Sequence, residues 1–439
     1  MHTLQQLTSG ELNGIKHLKL SCGLTEFPPD IFSLAETLEV LDLSGNVLSV
    51  LPDDFGRLAK LKIVFFSDNL FTELPSVLSD CKHLSMIGFK SNRIAYIPEN
   101  ALPPSTRWLI LTNNRIKHLP ASIGQCNSLQ KVALAGNFLS ALPPEMINCR
   151  NLELLRISAN RFNELPGWLF DMPKLSWLAF AGNPFYKIEQ RDSVDLPEID
   201  WESFDVQEQL GEGASGNIYR AVWQNNENKT DVAIKLYKGE VTSDGFPDDE
   251  MQAAITAAKH PCLVNLLGTI FNHPHQKQGL VMALIPPTFY NLGLPPSWDT
   301  CSRDVFPEGS VFKSHEILKI ATAIASLADY LHQKGIMHGD LYAHNILIDQ
   351  HTNTLMGDFG AASFYDVENL YAKKIQQIEA RAYGCLLDDL LQRLDSSDDD
   401  QETISFLMEL RKTSMQETTQ LRPLFGEICR RLSEKNSRV

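Results

Sequence analysis

Apolar residues in the first 186 positions follow a fixed pattern, L-x-x-L-x-L-x-x-N-x-L-x-x-L-P, read most clearly at Leu38 to Pro52 and again at Leu152 to Pro166. Asn46, Asn69, Asn92, Asn114, Asn137, Asn160 and Asn183 recur at intervals of 23, 23, 22, 23, 23 and 23 residues. A period of this length predicts a solenoid, because one coil cannot bury its apolar face alone and stacked coils can. The leucines then point inward, and each Asn stands where the coil turns and can satisfy backbone groups. A shorter unit, Ile15 to Pro28, carries Cys22 near the Asn position and starts the stack. After Pro184 the periodicity stops, and residues 187–203 (KIEQRDSVDLPEIDWES) are polar with one proline, which predicts a linker. Beyond it the pattern changes character: Ile218 to Trp223 and Val232 to Lys235 alternate like strands, whereas residues 248–268 and 378–391 are helix-like.

The repeat resembles the leucine-rich repeat family over about residues 14–186. The resemblance implies short strands lining a concave face, with the third and fifth positions of each unit pointing outward. Those positions are unusually apolar for a solvated sheet face. Ile63, Phe65, Met86, Trp108, Ile110, Leu154 and Trp177 are therefore expected to bind a protein partner or substrate, since exposed apolar patches of this kind mark interaction sites. The alternative is that the second domain, or the repeat's own side chains, covers them.

Chemistry enters in the second half. Residues 337–360 read MHGDLYAHNILIDQHTNTLMGDFG, so an Asp-x-x-x-x-Asn element (Asp340, Asn345) stands thirteen residues before an Asp-Phe-Gly that begins at Asp358. In-line phosphoryl transfer needs a carboxylate to orient the incoming hydroxyl and oxygen ligands for a metal–nucleotide. Asp340 suits the first role, and Asn345 and Asp358 suit the second as metal ligands. Upstream, Gly211, Gly213 and Gly216 form G-x-G-x-x-G between strand-like segments, where the backbone can come close to phosphates. Lys235 ends the Val232-Ala233-Ile234-Lys235 strand and can pair with phosphates, and Glu250 in the following helix is the candidate acid to hold it.

Taken in order, the glycine loop, the strand lysine, LVMALI (280–285), the Asp340 loop, Asp-Phe-Gly and RPLFGEICRRL (422–432) resemble the eukaryotic-type protein kinase family over about residues 204–439. The resemblance implies ATP and Mg2+ as cofactors. It also implies a nucleotide pocket between Ile218 and Ala233 above and Leu347 below, with Met282 at its back and Ala283 to Ile285 as hinge backbone. The expected fold is an α/β solenoid, the leucine-rich repeat horseshoe (1–186), a linker (187–203), and a two-lobed α+β kinase-like domain with a reduced C-lobe (N-lobe 204–285, C-lobe 286–439).

Several positions depart from the family pattern. Gly339 stands where an arginine usually precedes the catalytic Asp, and Tyr342 and His344 stand where a Lys or Arg is usual. No Ala-Pro-Glu follows Asp-Phe-Gly, Glu379 stands where the next helix usually begins with Asp, and Arg422 needs a carboxylate partner for which Glu368 is the candidate.

The net charge of −15 lies entirely in residues 191–439, which argues against nucleic acid as a partner. Eight scattered cysteines without a Cys-x-x-Cys pair point to free thiols, and no segment reaches the ~18 consecutive apolar residues of a membrane span. With an N-terminus lacking a basic start or an apolar run, the expectation is a cytoplasmic protein. The leading reading is an ATP-dependent protein kinase directed at Ser or Thr. Two alternatives stay open: a small-molecule phosphotransferase of the aminoglycoside or choline kinase type, and a nucleotide-binding pseudokinase scaffold.

Overall fold

The computed structural model describes residues 2–185, 195–225, 228–239, 241–257 and 259–437. It divides into two compact units, Met1–Leu175 with Asn183–Phe185, and Ser176–Gly182 with Tyr186–Val439.

The first unit opens with α1 (Leu4–Thr8), capped reciprocally by Thr3 and Gln6. Seven three-residue strands follow: β1 (His17–Lys19), β2 (Val40–Asp42), β3 (Ile63–Phe65), β4 (Met86–Gly88), β5 (Trp108–Ile110), β6 (Lys131–Ala133) and β7 (Leu154–Arg156). They pair in parallel, each facing the equivalent residue one repeat on: His17 to Val40, Val40 to Ile63, Ile63 to Met86, Met86 to Trp108, Trp108 to Lys131 and Lys131 to Leu154. Central residues such as Leu41, Val64, Ile87, Leu109, Val132 and Leu155 are all 0% exposed.

The asparagines close the coils. Asn137 donates from Nδ2 to the Leu111 and Leu134 carbonyls, both at 2.9 Å, and accepts the Ile116 N–H at 3.0 Å. Asn46, Asn69, Asn92, Asn114 and Asn160 make an equivalent set, and Asn183 accepts the Phe162 N–H and donates to the Ile157 carbonyl, so buried backbone groups at these turns find partners that water cannot supply.

The expected partner-binding row is less exposed than its pattern implies. Ile63 and Met86 are buried in a cluster with Val40, against which Phe65 and Trp108 pack, because strands one repeat apart set large apolar side chains against one another. Leu154 is also buried. Phe65, Trp108 and Ile110 are half-buried.

The second unit includes strand β8 (Trp177–Ala179). Of the expected linker, residues 187–194 lie outside the described residues. Its end is not a loose connection: β9 (Glu198–Asp200) pairs in parallel with β13 (Leu266–Phe271), and a short turn at Trp201–Ser203 leads on. The N-lobe sheet has the order β10-β11-β12-β14-β13-β9, with β10 (Phe204–Glu212), β11 (Gly216–Asn225), β12 (Asn228–Tyr237) and β14 (Gly279–Ala283). Ile199, Ala221, Val232, Ile234, Leu236 and Val281 form its core. One helix, α2 (Pro247–Ala257), interrupts it.

Below lie α3 (Ser314–Gln333), α4 (Ala372–Leu391), α5 (Gln401–Ser414) and α6 (Phe425–Asn436). Two small sheets carry the loops between them: β15 (Tyr290–Asn291), β17 (Ile346–Ile348) and β18 (Thr354–Met356), and β16 (Ile336–Met337) with β19 (Ser363–Phe364). Arg422 is buried and donates to the Gln416 and Gln377 carbonyls, so backbone oxygens meet it, while Glu368 is exposed. Among the described residues no helix is long and apolar enough to cross a membrane.

Candidate active site

Antiparallel pairing of β10 with β11 and β11 with β12 brings the glycine turn over Lys235. Ile218 faces Lys235 in one register and Leu280 faces it in the next, while Ala233 faces Met282. The turn is held by Gly213 N–H donating to Gly216 O at 2.9 Å and by Lys238 Nζ donating to Gly213 O at 3.1 Å. A side chain at Gly216 is excluded, because a Cβ there would meet the Leu236 carbonyl at 2.5 Å. At Gly211 nothing lies within 4 Å of that position, so the backbone is open to close approach by a phosphate.

Lys235 Nζ is paired with Glu250 of α2, and both are buried or nearly so, at 14% and 3% side-chain exposure. Burial pushes the Glu250 carboxyl above its ordinary range; the Lys235 charge pulls the other way, and the Asp358 charge adds to the rise.

A cleft of about 920 Å³ opens beneath the glycine turn. Its walls include Gly211, Gly213, Gly216, Ile218, Ala233, Lys235, Met282, Ala283, Ile285 and Leu347, and its floor includes Asn345 and Asp358. Glu250 lines a smaller cavity of about 70 Å³ behind, with Lys235, Asp358 and Phe359.

Asp340 stands beside this floor: Asn345 Nδ2 donates to its Oδ2 at 2.7 Å and to its backbone carbonyl at 3.0 Å. With Nδ2 so engaged, Oδ1 is the atom Asn345 can offer a cation. Asp358 has φ +57 and accepts the Gly360 N–H at 3.0 Å. The Lys235 ammonium, the oxygens of Asn345 and Asp358 and the apolar walls make a donor set that fits a metal–nucleotide.

Other groups come to the site from far along the chain. Glu379 of α4, fully buried, accepts Gly339 N–H at 2.7 Å and His338 N–H at 3.2 Å, and its Oε2 lies 2.9 Å from His332 Nε2. His344 lines the cleft and meets Asp304 through Nδ1 at 2.7 Å. Burial disfavours the imidazolium, but the Asp304 hydrogen bond and charge, with Asp340 and Asp358, outweigh it and hold His344 above its ordinary value. Asp304 and Asp244, which also lines the cleft, carry no motif in the sequence.

Trp177 requires a correction. Expected on a partner-binding face, it is 1% exposed, and its indole stacks on Tyr342 with ring centroids 4.3 Å apart.

The family described as protein tyrosine and serine/threonine kinase matches residues 204–383, and leucine-rich repeat families match residues 37–58 and 127–185. Among similar curated proteins is the serine/threonine-protein kinase pakH of Dictyostelium discoideum, 28% identical over 190 residues, covering 41% of this chain and 33% of that protein. Another is cyclin-dependent kinase 1 of Encephalitozoon cuniculi, 30% identical over 161 residues, covering 36% of this chain and 50% of that protein. The match thus spans about a third to a half of these relatives' length. The chain carries leucine-rich repeats followed by a domain of the protein tyrosine and serine/threonine kinase family.

Proposed function

We propose that the chain is an ATP- and Mg2+-dependent protein kinase directed at serine or threonine hydroxyls, and that its repeats recruit a protein partner or substrate. The observation that carries this is the gathering of Lys235, Asn345 and Asp358 around one cleft, with Asp340 hydrogen-bonded to Asn345 at its floor.

In this reading Asn345 Oδ1 and the Asp358 carboxylate hold magnesium, Lys235 holds phosphate oxygens, and the glycine-turn amides cover them. The apolar walls from Ile218 to Leu347 enclose the base. Bound Mg2+–ATP supplies the electrophilic γ-phosphoryl group. Asp340 accepts a hydrogen bond from the attacking hydroxyl and orients its oxygen, and the Asn345 amide keeps that carboxylate in place. Glu250 holds the Lys235 ammonium at the cleft wall. On the repeat unit, the half-buried Phe65, Trp108 and Ile110 remain the candidate partner contacts.

One observation favours a second reading, the small-molecule phosphotransferase: α4 begins at Ala372, close behind Asp358, and leaves little chain for docking a peptide. Incubating wild-type and Asp340→Asn protein with labelled ATP and magnesium separates the two. Label entering protein in the wild type and lost in the variant is the expected outcome. Label reaching only small hydroxyl acceptors favours the second reading, and equal transfer by the variant refutes the role given to Asp340.

A further inference from the structure

Residues 176–182 precede the kinase match, yet they are compact with the second unit. Their contacts there fall on the segments that frame Asp340. Trp177 Nε1–H donates to the carbonyl of Leu341, the residue after Asp340, at 3.1 Å, and its ring lies within 8° of parallel to the Tyr342 ring. The Phe180 and Ala181 amides both donate to Ser363 Oγ, at 2.8 and 3.1 Å. Ser363 lies in β19, opposite Met337 of β16, which leads into the Asp340 loop. Ser176 Oγ accepts from Arg381 at 2.7 Å, on the same helix as Glu379.

Gly339 completes the set. Its φ is +72, and a Cβ there would meet the Leu178 carbonyl at 2.7 Å and the Ala361 carbonyl at 2.6 Å. The backbone of the 176–182 segment occupies the space that a side chain immediately before Asp340 would need, so no arginine can stand at this position.

None of residues 176–182 lines the nucleotide cleft, and none of the described contacts brings a titratable group from that segment to Asp340. What the segment can supply is geometry. A stacked, hydrogen-bonded aromatic with no exposed face has few rotamers open to it, and it transmits that restraint to the loop it touches.

We propose that Trp177 is a positioning residue for the catalytic loop: together with the Phe180 and Ala181 amides it fastens Leu341, Tyr342 and Ser363 and thereby fixes Asp340 for transfer. This rests on the kinase reading above. Because misplacement by about 1 Å can cost up to about 100-fold in rate, Trp177→Ala is expected to lower kcat by about 10- to 100-fold. Nucleotide affinity depends on the cleft walls and stays within about 2-fold of wild type, given that the segment adds nothing to them. Trp177→Phe keeps a ring on Tyr342 but loses the Nε1–H bond and part of the indole's packing, and is expected to lower kcat by about 3-fold.

The experiment uses the full chain of wild type, Trp177→Phe and Trp177→Ala. It reads kcat and KM for ATP, the Kd of a fluorescent ATP analogue, and hydrogen exchange at the Leu341 and Tyr342 amides against those of β12. Lowered kcat with an unchanged nucleotide Kd, faster exchange confined to the loop and substantial rescue by Phe support the proposal. Unchanged turnover and exchange in both variants overturn it, as does a parallel loss of turnover and nucleotide binding in Trp177→Phe. Should Trp177→Ala fail to fold, Trp177→Phe decides by the same criteria. If the wild type transfers no phosphate at all, the kinase reading has failed, and the exchange arm still tests the restraint: faster loop exchange supports it, and wild-type exchange overturns it.

Discussion

Replacing Glu379 by Gln changes one atom of a side chain that no water reaches. The carboxylate accepts Gly339 N–H at 2.7 Å through one oxygen and His338 N–H at 3.2 Å through the other, and the second oxygen also lies 2.9 Å from His332 Nε2. Gln offers one acceptor and one donor, so its NH2 must face a backbone N–H and leave that donor unpaired. An unpaired buried group costs about 1–3 kcal/mol, and loss of charge assistance adds about 1 kcal/mol. Removing a buried charge could give some of this back, yet here the balance runs the other way. Burial pushes the Glu379 carboxyl up, but the His332 hydrogen bond and charge, the His338 charge and the Gly339 amide outweigh it and hold the group below its ordinary value. Glu379→Gln is therefore expected to destabilise the protein by about 2–4 kcal/mol at pH 7 and to lower kcat by about 10-fold or more, since the amide it releases, of His338 or Gly339, lies within two residues of Asp340. A depressed carboxyl contributes stability above its unfolded value of 4.5 and loses it as pH falls through the lower folded value. The gap between wild type and variant should thus be full at pH 7 and narrow below pH 4.5. Urea unfolding followed by circular dichroism at both pH values, with turnover measured at pH 7, is the assay. A variant within about 0.5 kcal/mol of wild type, with normal turnover, would refute the role assigned to this carboxylate.

In the solenoid, Asn114→Ala removes the acceptor for Ile94 N–H at 3.0 Å and the donor to Phe89 O at 2.8 Å and Leu111 O at 3.0 Å. It should cost about 3–5 kcal/mol in urea unfolding, whereas the exposed Asn127→Ala should stay within about 0.5 kcal/mol, and a loss below about 1 kcal/mol at Asn114 would contradict the ladder argument. Burial pushes the thiols of Cys81 and Cys126 up to about 11 and that of Cys149 up to about 12, while Cys22 is exposed. Native-state alkylation at pH 8, read by mass spectrometry, should therefore modify Cys22 and spare these three. Because the buried thiols keep their protons where unfolded ones lose them, they contribute a loss of stability as pH rises past about 9, up to about 1.4 kcal/mol per pH unit for each. Alkylation of Cys149 as fast as Cys22 would refute the burial.

The 23-residue spacing of the asparagines dictates the solenoid because each coil repeats one local solution, and a local pattern is all that stacking of neighbours requires. The phosphoryl-transfer motif is legible for a similar reason: Asp340 and Asn345 are close in sequence, and their hydrogen bond forms within one loop. Glu379 stands out in the sequence by its position alone, and its role as acceptor for Gly339 and His338 depends on how α4 packs beneath the loop, about forty residues away.

What the chain determines by itself is which side chains leave a strand on the outward side, since that follows from backbone period alone. The pattern set Ile63, Met86 and Trp177 in one apolar row, and an apolar residue reads the same whether a partner, a neighbouring strand or a distant loop of its own chain covers it. Tertiary structure decided that Ile63 and Met86 pack on each other while Trp177 stacks on Tyr342, 165 positions further on. It also decided why Gly339 precedes Asp340: the carbonyls of Leu178 and Ala361 fill the space beside it, and no property of the sequence near Gly339 encodes an obstruction built from two remote backbones.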